Sequence, residues 1–311
     1  MMDAGYYAGW DGGGTATTIE CIDKAGNTVL RAKVGPLNVH GNTIAQVSQS
    51  VREALQHMDS LPGGLLAFEG LCVAGAGVSG AKTRDVWEKT LSSCGYEGSY
   101  HLSADFEAAL YGAFGGNAGI ALISGTGSVC YGKNSAGEHQ RCGGWGHRFD
   151  DEGSGYAIGR DVLKAVVRAH DGREQPTLLT NLVFSAWNVN SIPELISTAY
   201  APETGKKEIA ALSALCCDAY ADGDNAAEMI LEKAAKSLEE LLTATADALT
   251  TTDAPEFSTA VETAFFGGLL QKDAVLHMAL ENSIDSRFLI REPIADAARG
   301  AAIMSRHKFR A

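Results

Sequence analysis

Two short glycine-rich stretches, Asp11-Gly12-Gly13-Gly14-Thr15 and Ser124-Gly125-Thr126-Gly127-Ser128, decide how this chain is read. The first lies between apolar runs at Tyr6 to Trp10 and Thr17 to Ile22. It then leads to the breaker-rich turn Asp23-Lys24-Ala25-Gly26-Asn27 and a third run at Thr28 to Val34. The second lies between Gly119 to Ile123 and Val129 to Lys133 and ends at Asn134-Ser135-Ala136-Gly137. Runs of this length bounded by turn formers read as strands. One hairpin device therefore occurs twice, and each copy opens an α/β half, which predicts a duplicated α/β fold rather than a solenoid.

Outward from the corners, Ile44, Val47, Val51, Leu55 and Met58 recur every three or four residues, the stripe of an amphipathic helix. A strand at Leu71 to Ala74, a helix at Thr83 to Leu91 and a strand at Tyr100 to Ser103 follow, then a helix from Asp105 to Phe114. From Gly155 to about Thr250 the pattern is dominantly helical. A strand at Val261 to Phe266 runs into Gly267-Gly268, followed by a helix at Asp273 to Ile284 and a strand at Phe288 to Glu292. A terminal helix from Pro293 to Lys308 has proline in its first turn. The expected division is a smaller domain, 1–105 completed by 293–311, and a larger helix-rich one, 106–292.

A chain of 311 residues has room for two cores of ordinary size. Lys and Arg number 25 against 38 Asp and Glu, a net charge of −13 that argues against nucleic acid as a partner. The same field repels ATP, so a phosphate site must be local, made of backbone N–H groups and Mg²⁺. The start carries no basic segment with a long apolar run, and no window approaches a membrane span, so a cytoplasmic location is expected. Seven cysteines without CxxC pairs read as reduced thiols.

A glycine corner suits a triphosphate because backbone donors can approach without a Cβ in the way. Asp11 to Thr15 lacks the P-loop lysine and the GxGxxG spacing, and alone it reads as a tight turn. Two such corners, Thr15 on one and Thr126 with Ser128 on the other, suit the gripping of one polyphosphate from both sides. In this the sequence resembles the actin, sugar kinase and Hsp70 superfamily.

Gly143-Gly144-Trp145-Gly146-His147 followed by Asp151-Glu152-Gly153-Ser154 narrows the likeness. The chain resembles the N-acetylglucosamine kinase branch of the BadF/BadG/BcrA/BcrD-type ATPase family from its first strand to its terminal helix. That resemblance implies two actin-like, ribonuclease H-like domains around an ATP cleft, a homodimer, and transfer of the ATP γ-phosphoryl group to the 6-hydroxyl of an amino sugar. It assigns Asp105 as the catalytic base, which also touches the sugar. Gly12, Gly13, Gly14, Thr15, Gly125, Thr126, Gly127 and Ser128 become nucleotide contacts, with Gly267 and Gly268 beside the adenine. Asn38, Gly144, Trp145, Gly146 and Asp151 become sugar positions.

Read as residues, several of these keep a second meaning. Asp105 also suits a helix N-cap. Asp11 suits Mg²⁺ held through water, or the capping of its turn. Asn38 suits sugar hydroxyls or an Asx-turn. Trp145 suits stacking on a pyranose or a local core plug, and His147 a structural imidazole or a catalytic one. Asp150 beside Asp151 either perturbs its neighbour or faces water. N-acetylglucosamine, glucosamine, N-acetylmuramic acid and glucose are not separable at this level. Two rival functions are an ATPase activator of 2-hydroxyacyl-CoA dehydratase, with Cys130 and Cys142 as iron–sulfur ligands, and a non-catalytic sugar-binding regulator. Ser124 stands where the activator type has an acidic residue, and the first strand begins too early for a preceding helix-turn-helix.

Overall fold

Alternation along β1 (Tyr6–Gly12) sends Tyr6, Ala8 and Trp10 to one face and Tyr7 to the other, all buried, as a central strand requires. The computed structural model describes residues 5–38, 41–75, 78 and 81–310. It divides into two units, Met1–Gly119 with Glu292–Ala311, and Ile120–Arg291.

In the first unit β1 pairs antiparallel with β2 (Thr17–Asp23), and β2 antiparallel with β3 (Thr28–Val34). On its other side β1 pairs parallel with β4 (Phe68–Gly75), which pairs parallel with β5 (Tyr100–Ser103). Strand order is β3-β2-β1-β4-β5. Helix α1 (Ile44–Asp59) starts at a capping box in which Thr43 Oγ accepts the Gln46 N–H and Gln46 Oε1 accepts the Thr43 N–H. Its Val47, Val51, Leu55 and Met58 are buried with Trp10 and with Trp87 of α2 (Ala81–Ser93). Ile44, expected in that stripe, is exposed because it is the first helical residue. Helix α3 (Asp105–Phe114) follows β5.

The second unit repeats the scheme. β6 (Gly119–Ser124), β7 (Ser128–Lys133) and β8 (His139–Gly143) form the first three strands, with β7 and β8 antiparallel. Five helices follow: α4 (Gly155–His170), α5 (Leu179–Trp187), α6 (Ile192–Ala199), α7 (Lys206–Ala221) and α8 (Asn225–Leu249). Strand β9 (Val261–Phe266) is parallel to both β6 and β10 (Phe288–Ile290), with α9 (Val275–Ser283) between them. The order β10-β9-β6-β7-β8 is the first sheet's order with each strand replaced by its counterpart. The duplication read from the two corners is thus present in the topology.

Strand β8 was not expected, since His139-Gln140-Arg141-Cys142 offers no apolar run; it forms as an edge strand paired to β7 alone. The last helix, α10 (Ala297–Phe309), starts four residues later than expected. Asp296 is its N-cap, accepting the Arg299 N–H, and Pro293 stays outside, so proline does not occupy the first turn. Helix α10 packs on β1, β4 and α3. That packing keeps α3 in the first unit, whereas the expected division at residue 105 precedes it.

Candidate active site

Parallel β-strands leave ligand-binding space outside their carboxyl ends. In the first unit the register aligns Asp11 of β1 with Ala74 of β4, and Ala74 with Ser103 of β5. Asp105 comes two residues after Ser103, as the first residue of α3. Asp11 and Asp105 therefore share one sheet edge, and their charges are coupled. Burial, then the charges of Asp105 and Asp296, push the Asp11 carboxyl from 3.8 up to about 6, against the pull of Arg31. Asp296 itself remains a low-pKa carboxyl: burial works against this, but Arg31's hydrogen bond and charge and the Arg299 N–H outweigh it.

The N-cap of α3 is Ala104, not Asp105. Glu107 Oε2 accepts the Ala104 N–H at 3.1 Å and also the Ser103 hydroxyl, so capping falls to Glu107. Asp105 Oδ1 accepts the Phe106 N–H at 3.0 Å. The capping alternative for Asp105 is in this respect taken up by another residue.

Downstream of Asp11 the chain turns at Gly13, whose N–H donates to the Ala16 carbonyl at 3.1 Å, leaving Gly14 and Thr15 exposed at the tip. The Gly13 carbonyl accepts N–H groups from Leu37 and Asn38 at 3.2 and 3.3 Å. Asn42 Nδ2 donates to the carbonyls of Gly14 and Asn38. The first glycine corner and the Asn38 loop are in this way one hydrogen-bonded piece. Gly12 packs between Leu37 and the Ala74 carbonyl.

The second corner is stitched to the Asp151–Ser154 loop. Gly125 N–H donates to the Gly127 carbonyl at 2.9 Å, and the Gly125 carbonyl accepts the Gly155 N–H at 2.8 Å. Ser124 Oγ donates to the Gly153 carbonyl at 2.8 Å and Ser128 Oγ to the Glu152 carbonyl at 2.6 Å. Thr126 alone stands exposed at the tip. The hydroxyls of Ser124 and of Ser128, an expected phosphate contact, are thereby both engaged with that loop. Gly267, at φ 94°, lies so close to the Ser124 carbonyl that any Cβ would overlap it. The demand for glycine at 267 comes from this packing, while Gly268 opens a short helical turn and faces open space.

Asp151 has a left-handed φ of 66° and is 3% exposed. Its Oδ2 accepts from Lys206 Nζ at 2.7 Å, a partner the motifs gave no hint of, since it lies 55 residues away on α7. Asp150 turns back instead: its Oδ2 accepts the Trp145 N–H at 2.7 Å and closes the Gly143–Asp151 loop. Trp145 is 63% exposed, so it is no core plug. The Arg141 guanidinium lies 4.0 Å from its ring centroid while also donating to the carbonyls of Gly143 and Gly144. Gly144 and Gly146 complete this loop. His147 packs edge-on to Tyr156, with ring centroids 4.8 Å apart.

Cys130 and Cys142 are register partners on β7 and β8. Burial pushes the Cys130 thiol up to about 12, and burial followed by the Asp150 charge raises Cys142. Both shifts disfavour a free thiolate. Among the described residues, no group of three or more His, Cys, Asp or Glu is arranged to hold a metal, and no helix is long and apolar enough to cross a membrane.

Two five-stranded sheets of one order, each opened by a hydroxyl-bearing glycine corner, define the actin-like ATPase fold of sugar kinases. Consistent with this, the crystal structure of a protein described as a candidate N-acetylglucosamine kinase from Chromobacterium violaceum superposes with a TM-score of 0.73 at 26% identity, covering 97% of this chain and 99% of that one. The BadF/BadG/BcrA/BcrD ATPase family model matches residues 8–305, and the chain belongs to that family. An N-acetylmuramic acid/N-acetylglucosamine kinase of Clostridium acetobutylicum is 35% identical over 234 residues, 75% of this chain and 76% of the relative. An N-acetyl-D-glucosamine kinase of Dictyostelium discoideum is 28% identical over 321 residues, 98% of each chain.

Proposed function

We propose that this chain transfers the γ-phosphoryl group of ATP to the 6-hydroxyl of an amino sugar, with N-acetylglucosamine or N-acetylmuramic acid as the first candidates. The observation that carries this is Asp105, whose charge is felt by Asp11 on the shared carboxyl edge of the first sheet while Glu107 caps its helix. The amino-sugar class is supported by the names of the relatives from Clostridium acetobutylicum and Dictyostelium discoideum.

Phosphoryl transfer asks for placement and charge neutralisation more than covalent chemistry. Asp105 accepts the proton of the attacking sugar hydroxyl as the new P–O bond forms. The corners at Gly12–Thr15 and Gly125–Ser128 supply phosphate donors, and Gly267 with Gly268 border the adenine. Asn38, Gly144, Trp145, Gly146 and Asp151 orient the sugar. Mg²⁺ suits Asp11, because a carboxyl crowded by Asp105 and Asp296 is relieved by a divalent cation, and such ions take one or two carboxylates plus substrate phosphates. When bound, the ion spreads the charge developing on the transferred group. A cytoplasmic homodimer is carried with the proposal from the family resemblance.

The test is a coupled ATPase assay across N-acetylglucosamine, glucosamine, N-acetylmuramic acid and glucose, run with the native chain and Asp105→Asn. Stimulation by an amino sugar is expected, and the variant should lose roughly 10²–10⁴-fold in turnover while sugar binding persists. Turnover retained by Asp105→Asn would remove Asp105 as the base; a panel in which no sugar stimulates would remove the kinase reading.

A further inference from the structure

Lys206 is a cation in a position that helix electrostatics disfavours. It is the first residue of α7, where the helix dipole presents its positive end, and Glu208, not Lys206, satisfies the Gly205 N–H at 2.8 Å. The chain keeps a lysine there because its ammonium reaches Asp151, with Nζ to Oδ2 at 2.7 Å. The two partners differ in exposure: the Asp151 side chain is 4% exposed and that of Lys206 31%. An ammonium carries three donors, so donation to Asp151 leaves capacity on a partly accessible group.

That group abuts the second phosphate corner. A Cβ placed on Gly127 would lie 2.9 Å from Lys206 Nζ and 3.1 Å from Asp151 Oδ2, so the ion pair rests directly on the corner's backbone. The corner is fixed to the same loop by Gly125, Ser124 and Ser128, which ties Asp151 to the corner it serves. What the corner offers of itself is neutral: backbone N–H groups and the exposed Thr126. For a chain of net charge −13, one local cation at this spot changes what the corner can hold.

We propose that Lys206 binds the terminal phosphates of ATP at the Gly125–Ser128 corner and that Asp151, through Oδ2, is its positioning partner. A carboxylate has several acceptor sites, so Asp151 serves Lys206 with one oxygen and a sugar hydroxyl with the other. The assignment rests on the ATP-dependent reading given above, but not on which sugar is phosphorylated.

A merely structural lysine would neutralise Asp151 and nothing more, and two variants separate the roles. Dissociation constants for ATP and for adenosine are measured by titration calorimetry on the native chain, on Lys206→Met, and on Asp151→Asn with Lys206→Met. The double variant buries no unpaired charge and so keeps the fold testable if the single variant does not hold it. ATP affinity is expected to fall roughly ten- to a hundredfold in both, with adenosine affinity unchanged. ATP affinity restored in the double variant, or unaltered in the single one, would overturn the assignment. If ATP affinity depends on Lys206 but no sugar in the panel stimulates turnover, Lys206 keeps its role and the kinase reading is the one that fails.

Discussion

Replacing Asp11 by asparagine should make the ligand-free protein more stable and functionally worse. Burial and the charges of Asp105 and Asp296 raise the folded-state pKa from 3.8 to about 6. At 1.36 kcal/mol for each pH decade, that difference amounts to about 3 kcal/mol. The sign follows from where the proton sits. Below pH 3.8 the carboxyl is neutral in both states and costs nothing. As pH rises through about 6 the folded state is made to carry a charge its surroundings disfavour, and stability is lost. An asparagine of the same shape never ionises. Above pH 7 the variant should therefore exceed the native chain by up to about 3 kcal/mol, with the attraction to Arg31 already counted in that figure. At roughly 2–4 °C per kcal/mol this is a rise of several degrees in melting temperature.

The assay is thermal unfolding of both proteins from pH 4 to pH 8 without nucleotide or divalent cation. The gap should be small at pH 4 and full by pH 7. Added Mg²⁺ should raise the native chain's melting temperature more than the variant's, and more so above pH 6, because cation and proton compete for the same oxygens. A variant less stable than the native chain at pH 8, or a gap independent of pH, would refute the electrostatic account of this sheet edge.

Gly267→Ala combines a positive φ with overlap of the Ser124 carbonyl, so a loss of about 2 kcal/mol or more in unfolding free energy is expected, together with weakened ATP binding; a variant with native stability would show that the corner is not packed as described. Trp145→Ala, at an exposed ring, should change stability by no more than about 1 kcal/mol. If the ring stacks on sugar, KM for the sugar rises about tenfold with kcat little changed, and an unchanged KM would leave Trp145 as a partner of Arg141 only.

Much of the fold is written in local pattern. The strands at Thr28–Val34, Tyr100–Ser103 and Val261–Phe266 and the helix Asp105–Phe114 lie where turn residues and apolar spacing put them. β8 escaped because an edge strand whose residues are only partly buried needs no apolar run, only a partner's backbone. The start of α10 was misjudged because proline competes with Asp296, whose side chain can cap where proline cannot. Within the candidate site, the two corners were legible because glycine and breaker residues announce them, and the place of Asp105 because a strand ends and a helix begins there. Lys206 was not, since nothing around it forms a motif and its meaning arises only when α7 folds back onto Asp151. Asp150 and Glu107 carry the same lesson at short range: their carboxylates close a loop and cap a helix, uses that neighbouring acidic residues had obscured.

The place of α10 has a consequence for how the chain comes into being. On the ribosome the strands β1 to β5 emerge early, but the helix that covers one face of their sheet is made only after all of Ile120–Arg291. The second unit is contiguous and needs no later segment to complete its core. The first must wait with Tyr7, Ile22 and Cys72 lacking the cover that Ala302, Ala301 and Met304 later provide. Vectorial synthesis thus makes the amino-terminal half the later of the two to close, and its uncovered sheet is the surface a nascent-chain chaperone would meet.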